Sequence, residues 1–496
     1  MKGWLYMFRP GMDEIRILSK EYRMIPISTE ISIDARTPME LLKILKTTYD
    51  YCFILESKGN RDFSDRYIFL GYDPMLELSC KDGIMNLKDF KSGENSSFKT
   101  ANPKEYMKEL MENYKTPKFS YLPHFTGGLF GYFAYDFIKY AEPSLKLDAE
   151  DEHDFKDLEL MLFDKLIIFD KEENKIVIVA NIETSMPEEG YERAKTDIDN
   201  IIGIINHTEE SSLEEGRLLS GFEAQFDRKT YGEKVDRCRH YIREGDAFQI
   251  VISNCLKATF EGNLIGTYGR IRAMNPSPYM FYFSGDELEV AGASPESLVK
   301  LRNGILQTFP LAGTMPRGKD MQEDQDMEIK LMSDPKELAE HSMLVDLGRN
   351  DLGKVSRLGS VEVEKYMQVE RFSHVMHIGS IVRGELAAPN TALDAIEAVL
   401  TAGTLSGAPK IRACEIINEL ENNKRGIYGG AIGYIDFAGD MDTCIAIRLA
   451  YKKGNKVFVR SGGGIVADSN PQSEYEEVIN KAKAVVMALE MSREVK

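Results

Sequence analysis

Hydrophobic positions recur with a helical period in several parts of the chain. The clearest case follows Pro471, where apolar residues return every three or four positions from Tyr475 to Leu489 and define one buried face. Asp334 followed by Pro335 is typical of another helix start. The pattern also predicts helices at about residues 227–246, 323–332, 335–347, 391–400 and 409–421.

Other stretches carry continuous or alternating apolar residues bounded by turn-forming residues, which predicts β-strands. The longest covers residues 248–260. Hairpin turns are predicted at residues 284–287, 303–304 and 452–456, each of which contains glycine. Strands that pair through hairpins, without regular alternation with helices, predict an α+β fold with antiparallel sheets.

The chain has 496 residues, which is more than one ordinary hydrophobic core accommodates. We therefore expect an N-terminal lobe at residues 1–215 and a second domain at residues 225–496. The polar, acidic stretch 207–217 is the predicted junction, and a similar stretch at 148–157 is typical of a solvated loop.

Charge and cysteine content narrow the classes of function. Lysine and arginine total 62 against 80 acidic residues, a formal net charge of -18, and no basic stripe of the kind that binds nucleic acid is visible. An anionic ligand must therefore be held by local cations, main-chain amides or a metal ion.

The six cysteines lack C-x-x-C spacing, which predicts reduced, buried thiols. Without a signal-peptide pattern or an apolar run of about 18 residues, we expect a soluble cytoplasmic protein that does not enter a membrane.

Two pairs of glutamates each fall on one face of a predicted helix. Glu337 and Glu340 lie in one helix, and Glu474 and Glu477 lie in the last. Taken singly, Glu337 could complete a helix cap and Glu477 could pair with Lys481 at the surface. Burying an unpaired carboxylate among leucines costs on the order of several kcal/mol, so a cation beside Glu340 is expected. Together the pairs could line one cavity and bind magnesium (Mg²⁺) through oxygen.

Three glycines, Gly462 to Gly464, end a predicted strand shortly before the last helix. They predict a tight turn, which either has no further role or offers its amides to a carboxylate or phosphate. No G-x-x-x-x-G-K-[ST] motif occurs, and no G-x-G-x-x-G motif lies between a strand and a helix, so nucleotide binding is not predicted. An organic anion is the expected ligand.

With these residues in view, the chain resembles the chorismate-utilising enzymes, and among them the anthranilate synthase component I family. The resemblance implies two facing antiparallel sheets flanked by helices, with the site in the cleft between the sheets. It also implies Mg²⁺-dependent amination of chorismate by ammonia and elimination of pyruvate to give anthranilate. The matching segments cover nearly all of residues 225–490 and, more thinly, the first lobe: LPHFTGGLFGYFAYD, NPSPYMFY, ASPESLV, PLAGTMPRG, AEHSMLVDLGRNDLG, FSHVMHIGS, AGTLSGAPKIRACEIINELE, RGIYGGAIGY, and GGGIVADS followed by EYEEVINKA.

The resemblance assigns roles to the glutamate pairs and to further residues. It makes Glu340 and Glu477 the direct magnesium ligands, with Glu337 and Glu474 acting through metal-bound water. It selects His377 as the acid or base near the ring, whereas His374, on the opposite face of a strand by its odd spacing, is packed or at the surface. The other residues that it implicates are Thr404 and Glu296 as catalytic groups, Glu296 donating a proton to the departing hydroxyl, and Gly313, Thr314, Tyr428, Arg448, Gly462, Gly463, Gly464 and Lys481 as substrate-binding groups.

Four positions and one segment help to distinguish anthranilate synthases from other members of the family. Gln249 stands where isochorismate-forming relatives carry a lysine that activates water, and Ala312 stands where aminodeoxychorismate synthase carries a lysine. Both favour an external ammonia nucleophile, and Thr404 also follows the anthranilate pattern. Met315 and the segment RSGGGIV depart from that pattern. Aminodeoxychorismate synthase component I is therefore the alternative, and a non-catalytic amino-acid sensor is the alternative from another class.

Partners follow from the same resemblance. No cysteine context offers the activated thiol of a glutaminase on a glycine-flanked turn, so ammonia from glutamine requires a separate glutamine amidotransferase subunit. The first lobe resembles a tryptophan pocket, which implies feedback inhibition by tryptophan. Its expected contacts are Ser57, Pro278, Tyr279 and Met280.

Overall fold

Two large antiparallel sheets face each other across a layer of aromatic side chains. The computed structural model describes residues 7–32, 36–58, 66–207, 213–371 and 375–492. Phe53 of one sheet stacks on Phe130 of the other, with ring centroids 3.9 Å apart. Helices cover the outer faces of both sheets, so the α+β fold with two facing sheets is confirmed.

The elements are numbered in chain order. The helices are α1 (Met12–Leu18), α2 (Pro38–Thr48), α3 (Pro103–Asn113), α4 (Ile138–Ala141), α5 (Pro187–His207), α6 (Arg228–Arg243), α7 (Ile265–Met274), α8 (Met321–Met332), α9 (Pro335–Gly353), α10 (Ala392–Val399), α11 (Lys410–Glu421) and α12 (Pro471–Glu490). The strands are β1 (Met24–Ser32), β2 (Cys52–Glu56), β3 (Tyr67–Tyr72), β4 (Leu76–Lys81), β5 (Ile84–Asp89), β6 (Asn95–Lys99), β7 (Gly128–Phe133), β8 (Leu158–Phe163), β9 (Lys165–Asp170), β10 (Lys175–Glu183), β11 (Arg217–Leu218), β12 (Glu223–Ala224), β13 (Gln249–Glu261), β14 (Tyr279–Ser284), β15 (Leu288–Ser294), β16 (Ser297–Arg302), β17 (Ile305–Thr308), β18 (Leu311–Pro316), β19 (Glu362–Arg371), β20 (Val375–Glu385), β21 (Gly407–Ala408), β22 (Ala431–Asp436), β23 (Met441–Ile445), β24 (Leu449–Lys453) and β25 (Lys456–Ile465).

The first sheet has 13 strands in the order β1-β10-β9-β3-β2-β14-β15-β24-β25-β13-β11, with β12 and β21 also paired to β13. The second has 12 strands in the order β18-β20-β17-β16-β23-β22-β7-β8-β4-β5-β6, with β19 paired to β20. The early and late parts of the chain meet within each sheet, through β2 and β14 in the first and β7 and β22 in the second. The expected lobes therefore share both sheets.

The helices and hairpins expected from the sequence are present. Asn303 and Gly304 join β16 to β17 with φ angles of 50° and 79°, the backbone that a two-residue hairpin turn needs. One helix end differs, because α9 continues past Gly348 to Gly353. Gly348 lacks the positive φ of a glycine that caps a helix, so the helix passes through it.

All six cysteines are buried and unbonded, as expected. No helix in the described part of the chain is both long and apolar enough to cross a membrane.

Candidate active site

Two helices bring the glutamate pairs to strands of different sheets. Helix α9 packs on β18 and β20, and helix α12 packs on β25. Asp334 caps α9 by accepting hydrogen bonds from the amides of Lys336 and Glu337. The amide of Asp334, which Glu337 would accept from in a capping box, donates instead to the carbonyl of Leu331 over 3.3 Å, so the Glu337 carboxylate takes no part in the cap. It lies instead beside Gly313 of β18, where an added Cβ would stand 3.1 Å from its Oε2.

The four carboxylates of Glu337, Glu340, Glu474 and Glu477 form one electrostatic group, here called the acidic cluster. Burial raises the pKa of Glu337, and the charges of Glu340 and Glu477 raise it further. Burial also raises the pKa of Glu474, with a contribution from Glu477. Lys481 offsets part of this charge, since its Nζ lies 2.7 Å from Oε1 of Glu477. The structure thus brings together two pairs that are distant in the chain.

The acidic cluster fits a hard divalent cation by the chemistry of its donors. Magnesium prefers oxygen ligands, and a cation would relieve the repulsion that raises two of the carboxyl pKa values. Among the described residues, no three His, Cys, Asp or Glu side chains form a ready-made metal-binding group. An ion here would therefore take one or two protein carboxylates and complete its shell with water or substrate oxygens, as Mg²⁺ usually does.

The turn expected at Gly462 to Gly464 is wrong, because these residues lie within β25 and pair with β13. The glycines make room for side chains that lie over the strand. A Cβ on the last glycine would stand 2.3 Å from Nε2 of Gln249, and one on the first would stand 3.0 Å from the Tyr428 hydroxyl. A Cβ on the middle glycine would come within 3.3 Å of Oε2 of Glu474. This bare strand is therefore one wall of the site.

His377 lies on β20 and faces β18. Its Nδ1 is 2.7 Å from the carbonyl oxygen of Gly313 and 3.2 Å from the hydroxyl of Thr314. A carbonyl only accepts hydrogen bonds, so Nδ1 carries the proton and Nε2 keeps its lone pair. Burial lowers the pKa of His377, which keeps the ring neutral at pH 7. This is the tautomer in which an imidazole can act as a base through Nε2. His374 lies outside the described residues.

Glu296 and Thr404 meet across the cleft, from the segment before β16 and the segment after α10. The Thr404 hydroxyl donates to Oε2 of Glu296 over 3.2 Å. Burial raises the pKa of Glu296, an effect that the Thr404 hydrogen bond partly offsets. A carboxyl group with a raised pKa can hold a proton and donate it, which is the chemistry expected of a general acid.

Arg448, Lys481 and Tyr428 supply donors near the glycine strand. Arg448 has a φ of 55°, a left-handed conformation that costs a non-glycine residue about 1–2 kcal/mol. It donates to the carbonyl of Lys481 over 2.7 Å, and the Lys481 ammonium donates to the carbonyl of Gly462 over 3.1 Å. Burial raises the pKa of Tyr428 to about 12, so its hydroxyl remains a donor at neutral pH. These three groups suit a carboxylate ligand.

A separate pocket lies where the sheets meet near the end of β2. Three of the four residues predicted to contact tryptophan, Ser57, Pro278 and Tyr279, line it, whereas Met280 lies on the other face of β14 in the hydrophobic core. Pro278 and Tyr279 also line a cavity of about 430 Å³ that reaches Glu296, so the pocket and the catalytic region share a wall. The remaining residues that line the pocket are Leu55, Glu56, Tyr67, Phe69, His124, Arg302, Tyr434 and Asp442.

Sequence reasoning missed two features of the site. Gln249 served only to distinguish branches of the family, yet its Nε2 lies 3.5 Å from Oε1 of Glu340. Arg425 was not singled out, although it is almost fully buried behind Tyr428. A signal was available for Arg425, because it directly precedes the run GIYGGAIGY, in which no residue is charged.

Comparison with known proteins identifies the family to which this fold belongs. The model of the chorismate-binding enzymes matches residues 50–487, and the chain belongs to that family. Within it the chain groups with component 1 of anthranilate synthase. The Aquifex aeolicus protein of that name is 41% identical over 488 residues, or 98% of both chains. That of Acetivibrio thermocellus is 40% identical and covers 99% of this chain and 100% of its own. The crystal structure of anthranilate synthase component I from Streptococcus pneumoniae superposes with a TM-score of 0.76 at 36% identity, covering 92% of this chain and 98% of the other.

Proposed function

We propose that the chain is a magnesium-dependent enzyme that aminates chorismate with ammonia and eliminates pyruvate to give anthranilate. The observation that carries this proposal is the convergence of the acidic cluster, from two distant helices, beside the bare glycine strand. The relatives of similar length, all named component 1 of anthranilate synthase, support the same reaction.

Chorismate has two carboxylates, and the site has two regions to hold them. Arg448 and Tyr428 bind the enolpyruvyl carboxylate, and the Lys481 ammonium lies next to them on the carbonyl of Gly462. The ring carboxylate faces the acidic cluster. A Mg²⁺ held there by Glu340 and Glu477 would supply positive charge and Lewis acidity at this carboxylate. Gly313 and Thr314 complete the wall on the β18 side.

Protons move through Glu296 and His377. Glu296 donates a proton to the C4 hydroxyl as it departs, which releases water rather than hydroxide, and Thr404 orients the carboxyl group. His377 accepts the proton from C2 at Nε2 as pyruvate leaves and the ring becomes aromatic. Gln249 is an amide and cannot deprotonate water, so nitrogen rather than oxygen attacks C2.

A product assay tests the proposal directly. We expect purified chain with chorismate, ammonium and Mg²⁺ to release fluorescent anthranilate and pyruvate in equal amounts. Formation of a non-fluorescent amino product without pyruvate would identify aminodeoxychorismate synthase component I instead. Absence of any turnover would favour the non-catalytic sensor.

The chain alone is expected to use ammonium but not glutamine. All six cysteines are buried, and burial raises the pKa of the Cys52, Cys80, Cys238, Cys255, Cys414 and Cys444 thiols, so none is an activated nucleophile. Anthranilate formation should therefore be at least about 100-fold slower with glutamine than with ammonium at the same concentration. Equal rates from both donors would contradict the proposed need for a separate amidotransferase subunit.

We further propose that the pocket at Ser57 binds tryptophan as an inhibitor. It combines aromatic walls with charged side chains, the chemistry that binds an aromatic zwitterion, and because its free volume is only about 30 Å³ the walls must move apart when tryptophan binds. Calorimetry should show one tryptophan per chain. Ser57→Leu fills the pocket and should raise the tryptophan Kd by at least about tenfold, whereas Ser57→Ala should change it by less than about threefold. If Ser57→Leu bound tryptophan as tightly as the parent chain, tryptophan would bind at a different site.

A further inference from the structure

Behind the substrate region, three charged side chains are sealed from solvent. Glu421, Arg425 and Arg460, here called the buried ion cluster, are each only 1% exposed. Arg425 Nη2 lies 2.5 Å from Oε1 of Glu421, and Arg460 Nη1 lies 3.1 Å from Oε2. Two guanidinium groups share one carboxylate, so the cluster holds an excess of one positive charge.

Arg425 reaches two segments of the site through main-chain carbonyls. Nη1 donates to the carbonyl of Leu405 over 2.6 Å, directly after Thr404. Nη2 donates to the carbonyl of Val251 over 2.7 Å, and Val251 is paired with Gly464. One planar side chain therefore connects the threonine segment with the glycine strand.

Glu421 completes the connection from the other side. Its Oε1 accepts hydrogen bonds from the amide and hydroxyl of Ser253, at 2.7 and 2.9 Å, and Ser253 is paired with Gly462. The guanidinium carbon of Arg425 lies 5.8 Å from the ring centre of Tyr428. Of the three donors assigned to the enolpyruvyl carboxylate, Tyr428 therefore lies beside the buried ion cluster, and the cluster also bonds to the strand that pairs with the glycines.

Fold stability is a weak explanation for these charges. A buried ion pair seldom stabilises a protein more than apolar side chains of the same volume would. The second arginine makes the cost larger, since its charge has no second carboxylate in the cluster and the Nε of Arg460 is a buried donor without a hydrogen-bond partner. An excess positive charge behind a carboxylate subsite instead favours the bound anion, in a chain whose net charge is -18.

We propose that Arg425, held by Glu421 and Arg460, is a positioning residue that orients Thr404, Tyr428 and the glycine strand and attracts the substrate carboxylate. This inference rests on the proposed function for the identity of the substrate. The guanidinium has two separable effects, since its charge acts on binding and its hydrogen bonds act on geometry.

Two variants separate these effects. Arg425→Gln leaves one carboxylate and one guanidinium, so the excess charge disappears, and the Kd for chorismate, measured without ammonium, should rise about tenfold. Arg425→Lys keeps the charge but cannot donate to both carbonyls and to Glu421 together, so its Kd should stay within about threefold of the parent protein. Its kcat should fall by about tenfold or more, because Thr404 and Tyr428 are misplaced.

The same changes at Arg412 are the control, since Arg412 lies at the surface of α11, the helix that carries Glu421, and pairs with Asp246. If both Arg425 variants fold and keep the Kd and kcat of the parent protein, the proposal is overturned. It is also overturned if both variants lose activity equally and the loss matches the decrease in folded protein measured by circular dichroism.

If neither Arg425 variant folds, Ser253→Ala carries the test. It removes one hydroxyl that donates to Glu421 and should lower kcat with Kd unchanged, whereas parental constants would overturn the proposal. Failure of the parent chain to form anthranilate would count against the proposed function alone, because chorismate binding still reports on the cluster.

Discussion

Replacing Glu340 with glutamine is expected to lower anthranilate formation by at least about 100-fold, because loss of a hydrogen-bond partner of a metal ligand already costs about 10- to 100-fold and loss of the ligand itself should cost more. The change keeps the size of the side chain and its place beside Gln249 but removes the negative charge that a divalent cation requires. Glu477→Gln should have a similar effect, because Glu477 is the matching carboxylate of the second helix. The measurement is the rate of anthranilate fluorescence as Mg²⁺ is varied, and both variants should need more Mg²⁺ for half-maximal rate.

Glu476→Gln is the matched control. Glu476 is a neighbour of Glu477 on α12 but points to solvent, where it pairs with Arg228 over 3.1 Å. Such exposed pairs contribute about 1 kcal/mol at most, so its rate and Mg²⁺ dependence should match those of the parent chain. If Glu340→Gln turned over as fast as the parent chain, Glu340 would not be a magnesium ligand. Added chelator should stop the parent enzyme and leave its folding, followed by circular dichroism, unchanged.

Replacing His377 with glutamine is expected to lower kcat/KM by about 100- to 10,000-fold, the usual contribution of a general base. The pH profile provides the sharper test. Burial lowers the pKa of His377, so its neutral, proton-accepting form is present above that pKa and is lost as the pH falls through it. The parent enzyme should therefore show an acidic limb whose apparent pKa lies below about 6.5, the usual value for histidine.

The acidic limb should disappear in His377→Gln. His240→Gln is the control, because His240 is exposed on α6. An unchanged limb in His377→Gln would assign the titration to another group. A rate loss without any change in the pH profile would indicate that His377 only orients Thr314 and Gly313.

Local structure was largely readable from the sequence because it depends on near neighbours. The spacing of apolar residues after Pro471 predicted α12, and Asn303 followed by Gly304 predicted the hairpin between β16 and β17. Each depends on side chains within a few residues, which set capping, turn geometry and the exposed face.

Contacts between distant segments were not readable in this way. The spacing of Glu337 and Glu340 indicates a shared helix face, but not which other helix lies opposite. The three glycines of β25 were mistaken for a turn, because nothing local shows that Tyr428 and Glu474 lie over the strand. Arg425 was missed for the same reason, since its partners come from several separate segments. The repeated glutamate spacing suggested that the two pairs could line one cavity, and the family resemblance then assigned them to one metal site.

The shared sheets have a consequence for synthesis on the ribosome. Strands β2 and β7 lie inside their sheets, yet β14 and β22, which cover their second edges, are translated long after them. A nascent chain that has reached only α5 therefore exposes two unpaired interior edges, which are sites of aggregation. The polypeptide must wait for its last third before both edges close, so folding is completed near the end of translation.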